Sequence, residues 1–567
     1  MKVAAAQFAV TNDVTANLAT CLRIIAKAAK QQPDLIVLPE FCNHNSWYDN
    51  AEHCYQVSVD IDGDFLAAIA KAAADAQAYL VLNCTVRREH NQVTGTSLLY
   101  SPDGQLLAEA DKQVLIGHEN AFLRRATQPS PIIDTPFGKL ALYACMDGVI
   151  NETPRCLALR GAQLLCNSLN SFAIDEGNLH IPVRAAENKV FVVAANKVGP
   201  LIPEALLEPV SAAVNIPVQF LNGAGDSQIV APNGRVLALA GHNEEIIYAD
   251  IDLSAATNKC RPDGTDIFAA RRLDLYQPLL ADPATQPLPP FTGASKVIAA
   301  AASIASEAND AINEAVSAVK NLQADNARLI CLPERCALPK QMTGLAMSDA
   351  AAISARLVSA IQQVLAPDSY VATTIISTAD GGSHQAVLIG AEGILYQQSQ
   401  LHHSERLSGL NKGQNFAFCQ TVHGKVAVLC EDDAIYPETF RLLALQGVEV
   451  VMVPLALQEA WLVKTGLVER AAENRINLVA ADRQSCNNLI CCLQHDFTLM
   501  TAWKTRQFDG LLSAPEIIRH SDSPLLSAAV HPSAAANKVC SADTDLLASR
   551  PWQLMQPVVS PAPVNGV

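Results

Sequence analysis

The chain contains two copies of the same long motifs, and this repetition constrains its fold more than any other feature. Residues 35–42 read LIVLPEFC and residues 329–336 read LICLPERC. Residues 184–196 read RAAENKVFVVAAN and residues 470–482 read RAAENRINLVAAD. A period of roughly 290 residues is far too long for a solenoid repeat, so it indicates two copies of a whole globular domain.

A segment rich in proline and small residues joins the two copies. Residues 278–295 read PLLADPATQPLPPFTGAS, a composition typical of an exposed, semi-rigid linker. We therefore predict one domain over residues 1–277, a linker over residues 278–295 and a second domain over residues 296–567.

Short β-type runs alternate with alanine-rich helical stretches in each copy. KVAAAQFAV and KLALYAC have the length and composition of buried strands, whereas residues 16–31 and 65–77 have the apolar spacing of amphipathic helices. The Asp-Gly and Asn-Gly pairs in 101–105 and 231–235 predict hairpin turns. This mixture predicts an α/β fold with layered, mixed sheets.

The composition excludes several classes of partner. Half of the 567 residues are hydrophobic, 17% are charged, and the net charge of −16 comes without a lysine or arginine cluster, which argues against nucleic acid and anionic membranes. We expect neither a signal peptide nor a transmembrane helix, because the apolar runs are too short. Sixteen cysteines without CxxC pairs predict reduced thiols in a cytoplasmic protein, and we expect no metal and no cofactor.

Three residues of the first copy make chemical sense together, although each is ordinary alone. Glu40 follows a predicted strand, Lys112 lies in LLAEADKQVL, and Cys145 ends the apolar run KLALYAC. A thiol can act as a nucleophile, a buried glutamate can take its proton, and a lysine can stabilise developing negative charge. We expect the ammonium to lower the pKa of the thiol and burial to raise that of the glutamate.

The order of these motifs resembles the carbon–nitrogen hydrolase, or nitrilase, superfamily. LPEF, ADKQVL and YACMD are followed by RAAEN at 184–188 and by GDSQIVAPNG at 225–234, and the resemblance extends over both halves of the chain. It implies tandem four-layer αββα sandwich domains. It also implies that the two halves pack against each other as an intramolecular pseudo-dimer, with further homo-oligomerisation left open.

The resemblance also implies a role for each residue of the first site. Glu40 would be the general base, Lys112 would stabilise the oxyanion, and Cys145 would be the nucleophile. The backbone N–H of Met146 would complete the oxyanion hole, and Glu119 would orient the lysine.

Two further features bear on the substrate. Asp147 follows Cys145 by two residues, and this Cys-x-Asp pattern resembles the amidase-type branches and favours an amide over a nitrile, although Asn151 replaces a usual proline. Trp47, Tyr48 and Asn170 are candidates for the substrate pocket. The insertion at 200–222 is apolar and proline-rich, which predicts a lid or an interface.

The second copy has lost the nucleophile and the lysine. A nearly constant offset pairs the four candidate side chains with Glu334, Gln398, Glu431 and Glu405. Cys430 falls one position before that of the nucleophile and on the opposite strand face. We predict a degenerate, non-catalytic second site, with a pocket for a cation or an amine as the alternative.

The leading hypothesis is a cofactor-free hydrolase that cleaves the amide of a small molecule through a cysteine acyl-thioester. Nitrile hydrolysis or hydration on the same residues is one alternative. A non-catalytic ligand-binding scaffold is the other.

Overall fold

The computed structural model of the chain describes residues 1–340, 344–519 and 522–562. These residues form two compact units. Of the described residues, those within 1–259, 496–513 and 539–562 form the first unit, and those within 260–495 and 514–538 form the second.

The boundaries of the compact units differ from those of the predicted domains. Residues 260–277, which the repeat assigns to the first domain, belong to the second unit, and segments beyond residue 495 belong to the first. The tail of each repeat is therefore folded into the other unit. The predicted domain boundaries describe the sequence repeat, and they stay a prediction.

Two six-stranded mixed sheets form the centre of the first unit. In spatial order, sheet I consists of Glu245–Asp250, Lys2–Gln7, Leu35–Val37, Tyr79–Arg88, Gln92–Tyr100 and Leu106–Asp111. Sheet II consists of Val236–Leu239, Gln228–Val230, Phe191–Ala195, Leu164–Ser168, Gly138–Ala144 and Ile132–Thr135. Two short pairs add Val198–Pro200 with Asn222–Ala224, and Val539–Ser541 with Thr544–Asp545.

The helices of the first unit include members that pack on sheet I and members that pack on sheet II. They are Val14–Ala29, Ala51–Val57, Asp64–Ala76, Glu119–Phe122, Met146–Val149, Glu152–Leu159, Ile181–Asn188 and Leu207–Val214, with a π-helical turn at Glu176–His180. The first begins where the Asp13 carboxylate accepts the N–H groups of Thr15 and Ala16, a standard N-cap. Its apolar side packs with that of Asp64–Ala76 on sheet I, as the helical spacing predicted.

The faces of sheets I and II that point toward each other are apolar and share one core. Val3, Leu35 and Val81 of sheet I meet Leu140 and Val193 of sheet II in a single buried cluster. The alternation of side chains along each strand explains this, because every second residue faces the other sheet. The first unit is thus a four-layer αββα sandwich, as predicted.

The second unit repeats this architecture. Sheet III consists of Gly393–Ser399, Ser383–Gly390, Tyr370–Ser377, Leu329–Cys331, Val297–Ala302 and Leu525–Val530. Sheet IV consists of Cys419–Thr421, Gly424–Val428, Val450–Pro454, Asn477–Ala481, Leu489–Cys492 and Glu516–Ile518. The helices are Ala308–Ala324, Met347–Gln362, Glu431–Ala434, Pro437–Leu445 and Leu467–Asn474, with a π-helical turn at Leu462–Gly466. No helix among the described residues is long and apolar enough to span a membrane.

One buried carboxylate attaches the segment 496–513 to the first unit. Asp175 accepts the backbone N–H groups of Leu512 and Ser513, each at 2.8 Å, and lies 3.5 Å from His180. Burial opposes ionisation of Asp175, but His180 and the two N–H groups outweigh it and lower the pKa of this carboxyl.

We expect Asp175→Ala to loosen this segment. The variant leaves two buried N–H groups without an acceptor, which costs about 1–3 kcal/mol for each group. Trypsin should then cut faster after Lys504 and Arg506, and urea unfolding should show a lower free energy of unfolding. Asp62→Ala, at an exposed position, is the matched control. Equal cleavage rates in the two variants would show that Asp175 does not hold the segment.

Candidate active site

The site of the first unit forms where neighbouring strands of sheets I and II end. Glu40 lies three residues beyond the strand Leu35–Val37, and Cys145 follows Gly138–Ala144 directly. The Glu40 N–H donates to Leu169 O at 3.1 Å, which ties the two sheets together at this edge. The carboxyl ends of parallel strands commonly hold the functional groups of α/β folds.

The Lys112 ammonium holds two carboxylates in a fully buried cluster. Its Nζ lies 2.8 Å from Glu40 Oε1 and 3.0 and 2.9 Å from the two oxygens of Glu119. Burial disfavours the charged lysine, but the two carboxylates more than compensate and raise the pKa of Lys112. The structure therefore brings Glu40 to two residues, Lys112 and Glu119, that lie 72 or more positions later in the sequence.

Cys145 lies on a strained turn between a strand and a short helix. Its φ of 47° and ψ of −109° are unusual for a residue with a side chain, and such strain is typical of functional sites. The backbone N–H of Cys145 donates to Ser168 O and to Asn167 Oδ1, both at 3.0 Å, and these bonds hold the turn. Met146 begins the helix Met146–Val149, so its N–H is among those that a helix start leaves without an intrahelical acceptor.

Asp147 connects the lysine segment to the cysteine turn. Its Oδ1 accepts the N–H groups of Gln113 at 3.0 Å and Val114 at 2.7 Å, and its Oδ2 accepts that of Ala144 at 3.4 Å. Burial raises the pKa of Asp147 to about 7, against the lowering influence of Lys112 and these N–H groups. This geometry gives the Asp of the Cys-x-Asp pattern a positioning role.

The side chain of Cys145 is a neutral thiol. Burial, together with the nearby Glu40 carboxylate, raises the pKa of Cys145 well above its ordinary value, and the lowering influence of Lys112 does not offset them. Lys112 thus lowers the pKa of the thiol, as expected, but burial and Glu40 outweigh it. Burial also raises the pKa of Glu40, as expected, which makes it a stronger base.

Glu176 is a site residue that sequence reasoning missed. The Cys145 thiol lies 3.9 Å from Glu176 Oε1, and this carboxylate contributes to the raised pKa of the thiol. Glu176 begins the π-helical turn before RAAEN, and its approach to Cys145 depends on that turn. No local motif marks it in the sequence.

Lys197 is a second residue that the motifs did not reveal. Burial lowers the pKa of this lysine to about 8, and its ammonium lies 5.9 Å from the centre of the Phe41 ring. Among the described residues its Nζ has no hydrogen-bond partner. The opposite charge of Lys197 contributes to lowering the pKa of Glu40.

A cavity of 400 Å³ opens beside Cys145, and we call it the Cys145 cavity. Trp47, Tyr48 and Asn170, the three predicted pocket residues, all line it, together with Cys145 and Glu119. Asn170 Nδ2 donates to Ser46 Oγ at 2.9 Å.

Two segments outside the core motifs supply most of the remaining wall. The insertion at 200–222 forms the helix Leu207–Val214 and contributes Leu201, Val210 and Phe220 to the cavity, so it lines the site as a lid would. The attached segment 496–513 contributes other residues that line the cavity, including Phe508.

In the second unit, arginine side chains pair with the carboxylates of the second site. Arg406 lies 3.2 Å from Glu334 Oε1 and 3.0 Å from Asp432 Oδ2, and Arg261 lies 2.9 Å from Glu431 Oε1. Burial raises the pKa of Glu431 to about 7, although both arginines lower it. The structure brings Glu334 and Glu431 together, since the Glu431 N–H donates to Glu334 Oε2 at 3.2 Å.

The pairing of Lys112 with Gln398 is wrong by two residues. Asp147 accepts the N–H of Gln113, and its counterpart Asp433 accepts that of Leu401 at 3.0 Å, which places Gln400 where Lys112 stands. The offset changes because the segment between this position and that of Cys145 is shorter in the second copy, residues 400–431 against residues 112–145.

Gln398 and Glu405 therefore lie apart from the second-site carboxylates. The Gln398 amide bonds to Ser399 O and to the Ala417 N–H, while Glu405 is half exposed and pairs with His403. The cavity next to Gln400 has a volume of only 10 Å³, about one water. Cys430 packs between sheets III and IV with Val426 and Val428, on the strand face expected for it.

Within the described ranges, no group of three or more His, Cys, Asp or Glu side chains has an arrangement that could hold a metal ion.

Comparisons with known proteins agree with this geometry. Residues 2–259 match the family model of carbon–nitrogen hydrolases. A nitrilase of Pyrococcus abyssi is 27% identical over 262 residues, which cover 46% of this chain and 92% of the relative. An omega-amidase of Bos taurus is 27% identical over 288 residues, 49% of this chain and 96% of the relative.

Solved structures include an amidase from Nesterenkonia sp. that is 26% identical, with a TM-score of 0.39, and the match covers 46% of this chain and 92% of that one. The family model and the curated relatives each match about half of the chain. Residues 2–259 are therefore similar to carbon–nitrogen hydrolases, in agreement with the resemblance of their motifs.

Proposed function

We propose that the first unit hydrolyses the amide of a small molecule through a covalent intermediate on Cys145. The observation that carries this proposal is the buried Glu40–Lys112–Glu119 cluster beside a strained cysteine that opens onto a cavity. The relatives named as omega-amidases and the Cys-x-Asp pattern support an amide over a nitrile.

The acylation step begins with proton transfer because the resting thiol is neutral. Glu40 takes the proton of Cys145 as the sulfur attacks the carbonyl carbon, and the C–S bond forms. Lys112 and the Met146 N–H stabilise the resulting oxyanion. When the intermediate collapses, the C–N bond breaks, Glu40 gives its proton to the leaving amine, and an acyl-thioester remains.

The deacylation step uses the same groups in reverse order. Glu40 takes a proton from a water molecule, which attacks the thioester carbon, and Lys112 again stabilises the oxyanion. The C–S bond then breaks, the proton returns to the sulfur, and the carboxylic acid leaves. Glu119 keeps Lys112 charged and in place throughout both steps.

Two variants separate the steps of this mechanism. Cys145→Ala should abolish the release of ammonia or amine from amides, because no thioester can form. Glu40→Gln should slow deacylation, so intact mass spectrometry should detect a persistent acyl adduct that maps to Cys145. Loss of one or two orders of magnitude in kcat is expected for the missing base.

Wild-type-like turnover by Cys145→Ala would contradict the proposal. A nitrile substrate that yields amide or acid through the same adduct would instead support the alternative chemistry. Failure of every amide and nitrile to acylate Cys145, with the fold intact, would favour a non-catalytic scaffold.

The raised pKa of Cys145 predicts a response to loss of a neighbouring charge. Glu176→Gln removes one of the carboxylates that disfavour the thiolate, so Cys145 should react with iodoacetamide severalfold faster at neutral pH. The rate should be followed by mass spectrometry of the Cys145 peptide, because Cys260 and Cys486 are also exposed.

Glu89→Gln, an exposed position, is the matched control and should react like the wild type. An unchanged or slower rate in Glu176→Gln would show that this carboxylate does not govern the thiol.

We also propose that the second unit is not catalytic. Its carboxylates are paired with Arg406 and Arg261, so they are held by ion pairs rather than facing a substrate. Glu431→Gln should therefore leave amide turnover unchanged under conditions in which Cys145→Ala is inactive. A loss of kcat in Glu431→Gln with unchanged thermal unfolding would show that the second site takes part in catalysis.

A further inference from the structure

The Cys145 cavity is predominantly apolar. Three aromatic rings form one wall, where Phe508 lies 5.7 Å from Phe172 and 5.2 Å from Phe220, measured between ring centres. Aliphatic side chains of the lid, including Ile202 and Val210, complete it. A cavity of 400 Å³ is large enough for a ligand of drug-like size and far exceeds what a two-carbon acyl group needs.

The cavity is also poor in positive charge. Among the described lining residues there is no lysine or arginine, and the carboxylate of Glu119 already pairs with Lys112. His118 also lines the cavity, but its Nε2 bonds to the Ser46 backbone oxygen. A substrate carboxylate in the cavity would lose its hydration without gaining a counter-ion, which is strongly unfavourable. An acyl group with a charged far end therefore fits this cavity poorly.

The catalytic groups indicate which part of the substrate lies where. Cys145 and Glu119 line the cavity, whereas the side chains of Glu40 and Lys112 are fully buried beyond it. The leaving nitrogen must reach the Glu40 carboxylate to receive its proton. Because the Glu40 and Lys112 side chains have no exposed surface, a substituent on that nitrogen would have to enter this buried cluster. The bulk of the substrate must then extend from its acyl side into the apolar cavity.

We infer that the substrate is a primary amide of an uncharged, apolar carboxylic acid, with a medium-length alkyl chain or an aryl-alkyl group in the Cys145 cavity. This inference rests on the proposed amide hydrolysis and specifies its substrate class. It excludes two neighbouring classes, which are amides with a carboxylate at the far end and amides with a substituted nitrogen.

A series of related amides tests the inference directly. From acetamide through butyramide to hexanamide, kcat/KM should rise about fourfold for each buried CH₂ group, from the transfer free energy of a methylene. Phenylacetamide should also be a good substrate. Glutaramate, close to hexanamide in length but charged, and N-methylhexanamide should both fall at least tenfold below hexanamide.

A variant that shortens the cavity should shift this preference. Val210→Phe fills part of the lid wall, so it should lower kcat/KM for hexanamide much more than for acetamide. Ile202→Phe, also on the lid, provides a second variant in case the first does not fold. Val236→Phe makes the same replacement at a partly exposed position of sheet II and should retain the wild-type profile.

Binding to Cys145→Ala separates this inference from the proposed function. Calorimetry should show tighter binding as the amide chain lengthens and weak binding of glutaramate. Chain-length-dependent binding without turnover by the wild type would sustain the apolar cavity and overturn the hydrolysis. Turnover that is flat with chain length, or that favours glutaramate or the N-methyl amide, would overturn the substrate class and leave hydrolysis standing.

Discussion

The first site depends on the ion pairs that the buried Lys112 ammonium forms with two carboxylates. A buried ammonium is tolerated only with charged partners, and here Glu40 and Glu119 supply them at hydrogen-bond distance. These partners come from separate parts of the chain, so sheet I must end at the right place and the loop after Lys112 must turn back. Asp147 secures that loop through two backbone N–H groups and ties it to the cysteine turn.

The second unit also pairs its buried charges with opposite charges, but it uses different residues. Its sheets deliver Glu334 and Glu431 to an equivalent position, but guanidinium groups of Arg406 and Arg261 neutralise them. A guanidinium is larger than an ammonium and forms several directed hydrogen bonds, so it occupies volume that a substrate would need. One architecture thus holds an open site in one unit and an ion-pair cluster in the other, depending on which side chain brings the positive charge.

The sequence was sufficient for features that are encoded locally. Strand and helix periodicity predicted the sheets, and the motifs around Glu40, Lys112 and Cys145 identified residues that the fold brings near one another. The sequence did not reveal Glu176 and Lys197. Their positions near the first site depend on a π-helical turn and on packing behind Phe41. The sequence did not predict the net rise in the pKa of Cys145, because the burial that causes it depends on the whole fold. The sequence did not reveal Gln400, because the shorter segment between it and Glu431 is invisible when motifs are aligned at a fixed offset.

The exchange of tails between the units has a consequence for biosynthesis. Residues 496–513 and 539–562, which include part of the Cys145 cavity wall, are translated after all of residues 260–495. At about 5–20 residues per second, the ribosome needs roughly 10 to 50 s to make that intervening stretch. Throughout this interval the nascent first unit carries Cys145 in a cavity that lacks one wall, and the residues of that wall are added only afterwards.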